Sequence, residues 1–448
     1  MFLKDLEIIN WQCITKTSVK YDHLTIFIGP SNQGKSSVME AIMFFLNYRN
    51  FRPKDVNNES LPLEIMGIFS ELSVKVTEEF RDYIIDETLS IKVIRNVTGE
   101  FSYKSFNTKR KWVDITEKEY RNIVSNIDVL FIPSISEEEQ SKHFIKSLIK
   151  ILTESDYNVD MIIEHVNEMY NLFVKRYVSK GIYRKLVFEI FKEIIEYSRK
   201  FGKSLLNNTV LFFEEPELYL HPQASKELYD IFLKLTKIGT QIFISTHSSY
   251  FLSLKHYKSI AIVRNNGNGS TVFQYRGNLF SGDDVKSFNM NYWINPDRSE
   301  LFFADKVILV EGQTDKIVIG YLAEKIKVFN YRYSVIECGS KSIIPQFIRL
   351  LNAFHIPYTV VYDSDNHRWR TYEERLNSNK KNKAMRKIIN PRIGTYVELE
   401  NDMEEEIYNE ERERKNYKNK PFNALKAVME DDYKLPLKLK LKIMKIYE

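Results

Sequence analysis

The sequence is poor in cysteine and in long apolar runs, and each shortage excludes a class of protein. Two cysteines, Cys13 and Cys338, are too few for a disulfide framework, and no Cys-x-x-Cys pair or His/Cys cluster indicates zinc. No apolar run approaches the roughly 18–20 residues that a membrane-spanning helix requires. The N-terminus lacks the basic and apolar regions of a signal peptide. We therefore expect a cytoplasmic protein with no membrane partner.

Glycine is also scarce, and the net charge is unevenly placed. Only 15 of the 448 residues are glycine, about half of the usual share of roughly 7%, so each glycine is expected where the backbone needs it. The net charge of +5 comes entirely from Asn366 to Glu448, which hold 20 Lys and Arg against 15 Asp and Glu. The composition excludes disorder, and the length predicts two or three domains.

The pattern of apolar runs predicts an α/β protein with two successive domains. Strand-like runs at the N-terminus lead to a helix near Lys35, and 137–203 is mostly helical in pattern. The runs TVLFF and QIFIST, separated by an amphipathic helix, predict two parallel strands. The βαβ rhythm restarts with KVILV, YSVIE and PYTVVYD. We place one domain over 1–295 and the other over 296–448, with a linker at 291–300.

The strongest local signal is GPSNQGKS, a full match to the phosphate-binding loop pattern G-x-x-x-x-G-K-[ST]. A predicted strand precedes it and a predicted helix follows it, which argues against an accidental match. Gly29 and Gly34 allow backbone N–H groups to surround phosphates at a helix N-terminus. Lys35 reaches the β- and γ-phosphates, and Ser36 offers its hydroxyl to Mg²⁺.

Two further motifs predict the rest of an ATP site. The run VLFF ends in Glu214 and Glu215, where one carboxylate holds Mg²⁺ and the next polarises the attacking water. Two solvated acids at a strand end are the alternative. His247 follows the strand QIFI and is a candidate sensor of the γ-phosphate. The residues assigned to ATP and its Mg²⁺ are Gly29, Asn32, Gly34, Lys35, Ser36, Ser37, Glu214, Glu215 and His247.

These motifs, with the phrase EEPELYLHP, resemble the ABC-type ATPase heads of SMC-like and related DNA-repair proteins. The resemblance implies heads that sandwich ATP in a homodimer or higher homo-oligomer, and it places Glu217 in the D-loop region. The signature motif keeps only a Ser, a Gly and an Arg between Ser179 and Arg184, and no Q-loop glutamine is visible. The segment 137–203 is too short for a long coiled coil, so we expect a compact arm, suited to dimerisation.

Acidic residues after later strands predict a second site. KVILV is followed by Glu311, with Asp315 four residues later, and PYTVVY is followed by Asp363 and Asp365. Acids at the carboxyl ends of parallel strands converge on one crevice, and clustered carboxylates favour Mg²⁺ or Mn²⁺. A lone D-x-D is often a helix cap beside a solvated acid. Glu-Gly followed by D-x-D on successive βαβ units resembles a Toprim domain, a Rossmann-like fold.

An ABC-like head followed by a Toprim domain resembles the OLD (overcoming lysogenization defect) family of ATP-linked nucleases, over nearly the whole chain. The phrases EEPELYLHP, FADKVILVEG and CGSK carry the resemblance. It implies a role in anti-phage defence, with a second component such as a helicase or a reverse transcriptase. It also implies two catalytic metal ions, held by Glu311, Asp315, Asp363, Asp365 and a later acid. Glu400 is the best match for that acid among Glu398, Glu400, Asp402 and Glu404.

The residues over 366–392 form a basic stretch that includes Trp369 and Tyr372. Basic side chains contact phosphates and aromatic ones stack on bases, although such a run is often only a solvated face. Its position beside the acidic motif favours contact with DNA. The residues assigned to DNA are Arg368, Arg370, Lys380, Lys381, Lys383, Arg386 and Lys387.

The sequence therefore predicts an ATPase and metal-dependent DNA endonuclease or nickase. Two other classes stay open. One is a nucleotide-sensing regulator that binds DNA without cleaving it. The other is a factor related to topoisomerases or primases, whose nucleophilic tyrosine cannot be picked out among 27 Tyr.

Overall fold

The computed structural model describes residues 1–134, 138–155, 157–174, 180–279, 296–410 and 419–448. The chain divides into two compact units, Met1–Gln274 and Tyr275–Glu448. This division comes earlier in the chain than the boundary predicted at residue 295. Residues 291–295 of the predicted linker lie outside the described residues, and that boundary stays a prediction.

The first unit begins with strands and ends with a βαβ arrangement. Its strands are β1 (Phe2–Trp11), β2 (Ile14–Lys20), β3 (Leu24–Ile28), β4 (Leu63–Ser70), β5 (Ile84–Ile85), β6 (Thr88–Arg95), β7 (Phe101–Phe106), β8 (Trp112–Ile115), β9 (Asp128–Ile132), β10 (Thr209–Glu214), β11 (Gln241–Ser245), β12 (Ile260–Asn265) and β13 (Ser270–Gln274). Its helices are α1 (Lys35–Phe45), α2 (Val74–Glu79), α3 (Glu117–Val124), α4 (Glu138–Thr153), α5 (Asp160–Val174), α6 (Lys180–Phe201) and α7 (Pro222–Lys237).

Two sheets organise this unit. One is antiparallel, in the order β2-β1-β4-β6-β7-β8 with β5 beside β6, and its strands alternate buried and more exposed residues, as in β4. The other has the order β13-β12-β3-β11-β10-β9 and is parallel except for the hairpin of β12 and β13. β10 and β11 pair in parallel, with Phe212 opposite Phe243, which confirms the prediction from TVLFF and QIFIST.

The core of the first unit joins the two sheets through α1. Phe45 of α1 stacks on Phe69 of β4, while Phe212 and Phe243 stack within the parallel sheet. The described parts of the segment 137–203 are mainly helical, as predicted, and form α4, α5 and α6. Residues 137, 156 and 175–179 of that segment lie outside the described residues.

The second unit is a smaller α/β layer. Its elements are β14 (Lys306–Val310), α8 (Gln313–Lys325), β15 (Tyr333–Glu337), α9 (Ile344–Ala353), β16 (Tyr358–Asp363), α10 (Tyr372–Ile388), β17 (Gly394–Leu399), α11 (Met403–Tyr408), α12 (Lys420–Met429) and α13 (Leu437–Tyr447). The sheet order is β15-β14-β16-β17 and every pair is parallel. Its core includes residues of β14, α8 and α13, among which Val318, Leu439 and Ile446 are fully buried.

The predicted α/β class with parallel strands in both units is confirmed. In each unit the carboxyl ends of parallel strands share one edge, where ligands bind in sheets of this kind. Among the described helices, none is both long and apolar enough to cross a bilayer.

Candidate functional site

The phosphate-binding loop connects β3 to α1. Gly29 and Gly34 have φ angles of +141° and +96°, and a Cβ on Gly29 would lie 2.2 Å from the Val263 carbonyl oxygen. Lys35 Nζ donates to the carbonyl oxygens of Gly29 and Pro30, at 2.9 Å each. Burial lowers the pKa of Lys35 to about 8, although nearby glutamates favour its charged form. The loop therefore aims a buried amine at the site where a phosphate would sit.

Glu214 and Glu215 lie at the carboxyl end of β10, one strand away from that loop. The Ser36 hydroxyl hydrogen-bonds to the Glu214 carboxylate, while burial raises the pKa of Glu214. Glu215 has a φ of +41°, a conformation that is uncommon outside glycine. Its backbone N–H donates to the Ser245 carbonyl oxygen at 2.8 Å. The two acids are thus held beside Ser36 and next to the end of β11.

Arg184, predicted as a remnant of the signature motif, is only 1% exposed. Its Nη1 donates to the Glu215 carbonyl oxygen at 2.6 Å, and its Nη2 donates to the carbonyl oxygens of Ser134 at 3.0 Å and Pro133 at 3.5 Å. The guanidinium also lies over the Phe213 ring. Arg184 therefore fixes the backbone beneath its own ATP site. Ser179 lies outside the described residues.

Glu217 was predicted only as part of the D-loop region, but it holds the loop that carries His247. Its carboxylate accepts hydrogen bonds from the Thr246 hydroxyl at 2.8 Å and from the His247 backbone N–H at 2.9 Å. His247 Nε2 lies 3.9 Å from Glu215 Oε1. Burial and the charge of Lys35 lower the pKa of His247. The neutral imidazole is therefore favoured beside the acid.

These groups surround one cavity of about 470 Å³. Its lining is Cys13, Ser31, Asn32, Gly34, Lys35, Ser36, Ser37, Ser134, Glu214, Glu215, Ser245 and His247. Eight of the nine residues assigned to ATP are among them, and the ninth, Gly29, contributes the carbonyl that binds Lys35. The cavity has the size of ordinary ligand sites and the donor set that Mg²⁺ and phosphates require.

In the second unit, Glu311, Asp315 and Asp363 meet where β14 and β16 end. Glu311 Oε1 accepts from the Asp363 backbone N–H at 2.9 Å, and Asp315 Oδ2 accepts from the Gly312 N–H at 3.0 Å. Burial raises the pKa of all three acids, to about 7 for Asp315, and the charge of Glu311 adds to the rise for Asp315 and Asp363. Asp363 Oδ1 is buried and has no hydrogen-bond partner in the described part of the chain.

Asp365 lies near this cluster but in a different electrostatic setting. Its Oδ2 accepts from Lys341 Nζ at 2.5 Å and from the Ser378 hydroxyl at 3.0 Å, and its Oδ1 pairs with Arg370 at 2.6 Å. Burial alone would raise the pKa of Asp365, but Lys341 and Arg370 lower it below its usual value. The sequence included Lys341 only in the phrase CGSK, which carries part of the family resemblance, and it assigned Arg370 to DNA.

The late acids differ in their placement. Glu400, the predicted ligand, has a side chain that is 67% exposed and pairs with Lys438 at 3.3 Å, so the structure does not bring it to the cluster. Glu398 pairs with Arg386 at 2.6 Å. Asp402 is buried, and its charge raises the pKa of Asp315 and Asp363. Glu404 is also buried and raises the pKa of Asp315, but it pairs with Lys420 at 3.5 Å, so Asp402 replaces Glu400 as the candidate late ligand.

His367, which the sequence did not single out, supports Asp402. Its Nδ1 lies 2.8 Å from Glu405 Oε1 and its Nε2 lies 3.5 Å from Asp402 Oδ2. These three residues bring metal-type ligand atoms within 4.8 Å of one another. Glu405 and Asp402 lie at different nitrogens of the His367 ring, so the imidazole links the two carboxylates. One metal ion cannot bind both ring nitrogens, and this geometry is therefore that of a chain of hydrogen bonds. His367 thus orients Asp402, as buried partners of metal ligands commonly do.

The two halves of the predicted acid set differ in their fit to metal ions. The cluster of Glu311, Asp315, Asp363 and Asp402 fits a divalent cation, since Asp315 and Asp402 are buried, Glu311 and Asp363 are half-buried, and Asp363 keeps one buried oxygen unpaired among the described residues. The surroundings of Asp365 do not fit a second cation, because Lys341 and Arg370 already neutralise both of its oxygens.

Most residues of the basic stretch lie on or before α10, which begins with a capping box of Thr371 and Glu374. Lys380, Lys383 and Lys387 recur on one exposed face of the helix. Arg368 and Lys381 are exposed as well. Arg386 instead donates to the Tyr362 hydroxyl and pairs with Glu398, so it is turned toward the sheet.

Family models match both units. The AAA ATPase domain model covers residues 1–180 and 175–252, more than half of the chain. The model of the overcoming lysogenization defect protein-like TOPRIM domain covers 302–365. Together, fold and sites define a P-loop ATPase joined to a Toprim domain. The chain belongs to the AAA ATPase domain family and its Toprim domain is of the OLD-like type, which confirms the resemblance seen in the sequence.

Three curated relatives align with this chain. The Old nuclease of Escherichia phage P2 is 23% identical, over 81% of this chain and 77% of that protein. The OLD nuclease of Thermus scotoductus is 29% identical, over 41% of this chain and 35% of that protein. The endonuclease GajA of Bacillus cereus is 25% identical, over 44% of this chain and 34% of that protein. The chain thus spans about a third of the length of the last two.

Among solved structures, SMC head domains are similar to part of this chain. The head bound to the C-winged helix domain of ScpA aligns with a TM-score of 0.40 and 13% identity, over 61% of this chain and 97% of that chain. The head from Thermotoga maritima aligns with a TM-score of 0.39 and 12% identity, over 62% of this chain and 100% of that chain.

Proposed function

We propose that this protein is an ATP- and divalent-metal-dependent DNA endonuclease or nickase that acts in defence against phage. The observation that carries the proposal is the partly buried carboxylate cluster of the second unit, in a chain whose first unit gathers the ATP motifs around one cavity. The nuclease names of all three relatives support it. DNA is the proposed substrate, and Mg²⁺ or Mn²⁺ the proposed metal.

In the first unit, Lys35 pairs with the phosphates of ATP. Ser36 and Glu214 would hold Mg²⁺, and its charge would stabilise the phosphate oxygens. Glu215 orients the attacking water, and His247 contacts the γ-phosphate from the loop that Glu217 holds in place. ATP hydrolysis transfers the γ-phosphoryl group to that water.

In the second unit, Glu311, Asp315, Asp363 and Asp402 would hold a divalent cation, which would supply positive charge at the phosphodiester and lower the pKa of a water. A water oxygen bonds to phosphorus, one P–O bond to a deoxyribose breaks, and the proton that the water loses is balanced by the proton that the leaving oxygen gains. Glu311 and Asp363 lie closest to this reaction in the proposal. The exposed lysines of α10 contact the DNA backbone.

Cleavage of supercoiled plasmid tests the function. Wild type, Asp363→Ala and the surface control Asp431→Ala are compared with Mg²⁺ or Mn²⁺, with and without ATP. We expect nicked or linear DNA from wild type and the control, and at least a hundredfold slower product formation from Asp363→Ala. Equal cutting by all three, or no cutting by wild type under any of these conditions, would contradict the proposal.

The same assay separates the alternative classes. A strand-passage enzyme produces relaxed topoisomers and a covalent adduct that a denaturant traps, whereas a DNA-binding regulator leaves the plasmid unchanged. A homodimer through the ATPase domains, and a helicase or reverse transcriptase as a second defence component, stay predictions of the family resemblance.

A further inference from the structure

Asp365 is the acid of the second unit whose charge is already balanced. Lys341 and Ser378 fill both acceptor positions of Oδ2, and Arg370 takes one of the two positions of Oδ1, so two cationic side chains already balance the single charge of Asp365. The two cations lie at 2.5 Å and 2.6 Å from these oxygens, which is the range of charge-assisted hydrogen bonds.

Lys341 bridges Asp365 and the rest of the cluster. Its Nζ lies 3.4 Å from Glu311 Oε1 and donates to the Asp363 carbonyl oxygen at 2.5 Å. Its side chain is only 11% exposed. In a site with two metal ions, the ions lie about 3.5–4 Å apart and share acidic ligands. The ammonium of Lys341 occupies the space between Glu311 and Asp365 that a second ion would need.

The remaining acids carry charge that protein groups do not balance. Among the described residues, no basic side chain forms an ion pair with the carboxylate of Asp315 or of Asp363, and Asp315 Oδ2 accepts from the Gly312 backbone N–H at 3.0 Å. Asp363 Oδ1, buried and unpaired within the described ranges, is available to ligate a cation in this part of the site. The site thus contrasts an unbalanced group of acids with a balanced one.

We infer that the second unit binds a single divalent cation at Glu311, Asp315, Asp363 and Asp402, and that Lys341 and Arg370 supply the positive charge of a second ion. The inference rests on the proposed function only for the reaction itself, since the number of bound ions is measured without DNA. The family resemblance implies two metal ions in this unit, whereas the inference assigns it one ion and two cationic side chains.

Electron paramagnetic resonance of Mn²⁺ bound to the full-length protein counts the ions directly. We expect the six-line spectrum of isolated Mn²⁺ and the loss of one equivalent of bound Mn²⁺ in Asp363→Ala. An Mn²⁺ ion at the ATP site is also isolated and stays bound in both wild type and Asp363→Ala. It therefore does not contribute to the difference in bound Mn²⁺ between the two proteins. A spin-coupled pair in wild type, or the loss of two equivalents, would overturn the inference, and the wild-type spectrum decides even if the variant is unstable.

Lys341→Met tests the second half of the inference, with the exposed Lys327→Met as the matched control. Removal of the ammonium frees Asp365, so we expect a second Mn²⁺ equivalent and the appearance of spin coupling in Lys341→Met only. We also expect its cleavage rate at low Mn²⁺ to fall by about 10²–10³-fold. An unchanged Mn²⁺ count in Lys341→Met, or cleavage at the wild-type rate, would refute the role of Lys341. Absence of cleavage by wild type would refute the proposed function alone.

Discussion

Arg184 shows how one buried residue stabilises the geometry of an ATP site without contacting ATP. Its guanidinium satisfies carbonyl oxygens at the ends of β9 and β10, including that of Glu215. Each buried carbonyl left unpaired costs about 1–3 kcal/mol, and lysine cannot reproduce the forked donors. We therefore expect Arg184→Lys to lower the kcat of ATP hydrolysis about 10–100-fold while the Kd for ATP changes less than about threefold.

Steady-state ATPase assays and nucleotide titration of the same preparations check this prediction. Arg199→Lys, an exposed position on the same helix, is the matched control. A Kd that rises as much as kcat falls would indicate a collapsed cavity and not a displaced Glu215.

Asp315 gives the second unit a pH-dependent stability. The pKa of its carboxyl is about 7 in the fold against 3.8 as the ordinary value. Because the folded pKa is raised, its stabilising contribution is complete below about pH 4 and is lost as pH rises through about 7. In EDTA we expect a lower unfolding midpoint at pH 8 than at pH 6, with about 2–4 °C lost for each kcal/mol.

Thermal unfolding at both pH values, with and without Mn²⁺, measures this effect. Mn²⁺ should recover the midpoint mainly at pH 8, where the acids are ionised. Asp315→Asn should show a shallower fall than wild type or the surface variant Asp431→Asn. An equally steep fall in Asp315→Asn would assign the effect to other groups.

At the scale of elements, α10 places lysines of the basic stretch on one face of a helix. Lys380, Lys383 and Lys387 share an exposed face. If the three lysines neutralise DNA phosphates, each contact contributes about 0.9 to the slope of log K for DNA binding against log salt concentration. Replacement of all three by Gln should therefore reduce the magnitude of that slope by about 3. Fluorescence anisotropy of labelled duplex DNA over a salt series measures the slope.

The control replaces three exposed lysines outside α10 in the same unit, namely Lys426, Lys440 and Lys445, by Gln. The two triple variants carry the same net charge. Identical salt slopes in both would show that α10 is only a solvated face, the alternative that the sequence left open.

The elements that the sequence predicted are those with unambiguous patterns. Buried parallel strands such as β10 and β16 appear as continuous apolar runs, and the P-loop residues are neighbours along the chain. Short mixed strands such as β8 and β9 carry no such pattern and were not predicted. Side chains that meet across the fold were missed for the same reason, since Lys341 and Asp365 are 24 residues apart and Arg184 and Glu215 are 31 apart.

Across the whole molecule, each unit contains all the residues of its own site. Met1–Gln274 has its own core and every residue assigned to ATP, and Tyr275–Glu448 has its own core and the carboxylate cluster. Because substitutions without shared partners act independently, damage to one site should leave binding at the other intact.

We expect Lys35→Ala to abolish ATP binding while the Mn²⁺ affinity of the second unit stays within about threefold of wild type. Conversely, Asp363→Ala should remove that Mn²⁺ while the Kd for ATP stays within about threefold. Calorimetric titrations of both full-length variants measure these four values, and a tenfold loss at the untouched site would show that the two sites are coupled in the resting protein.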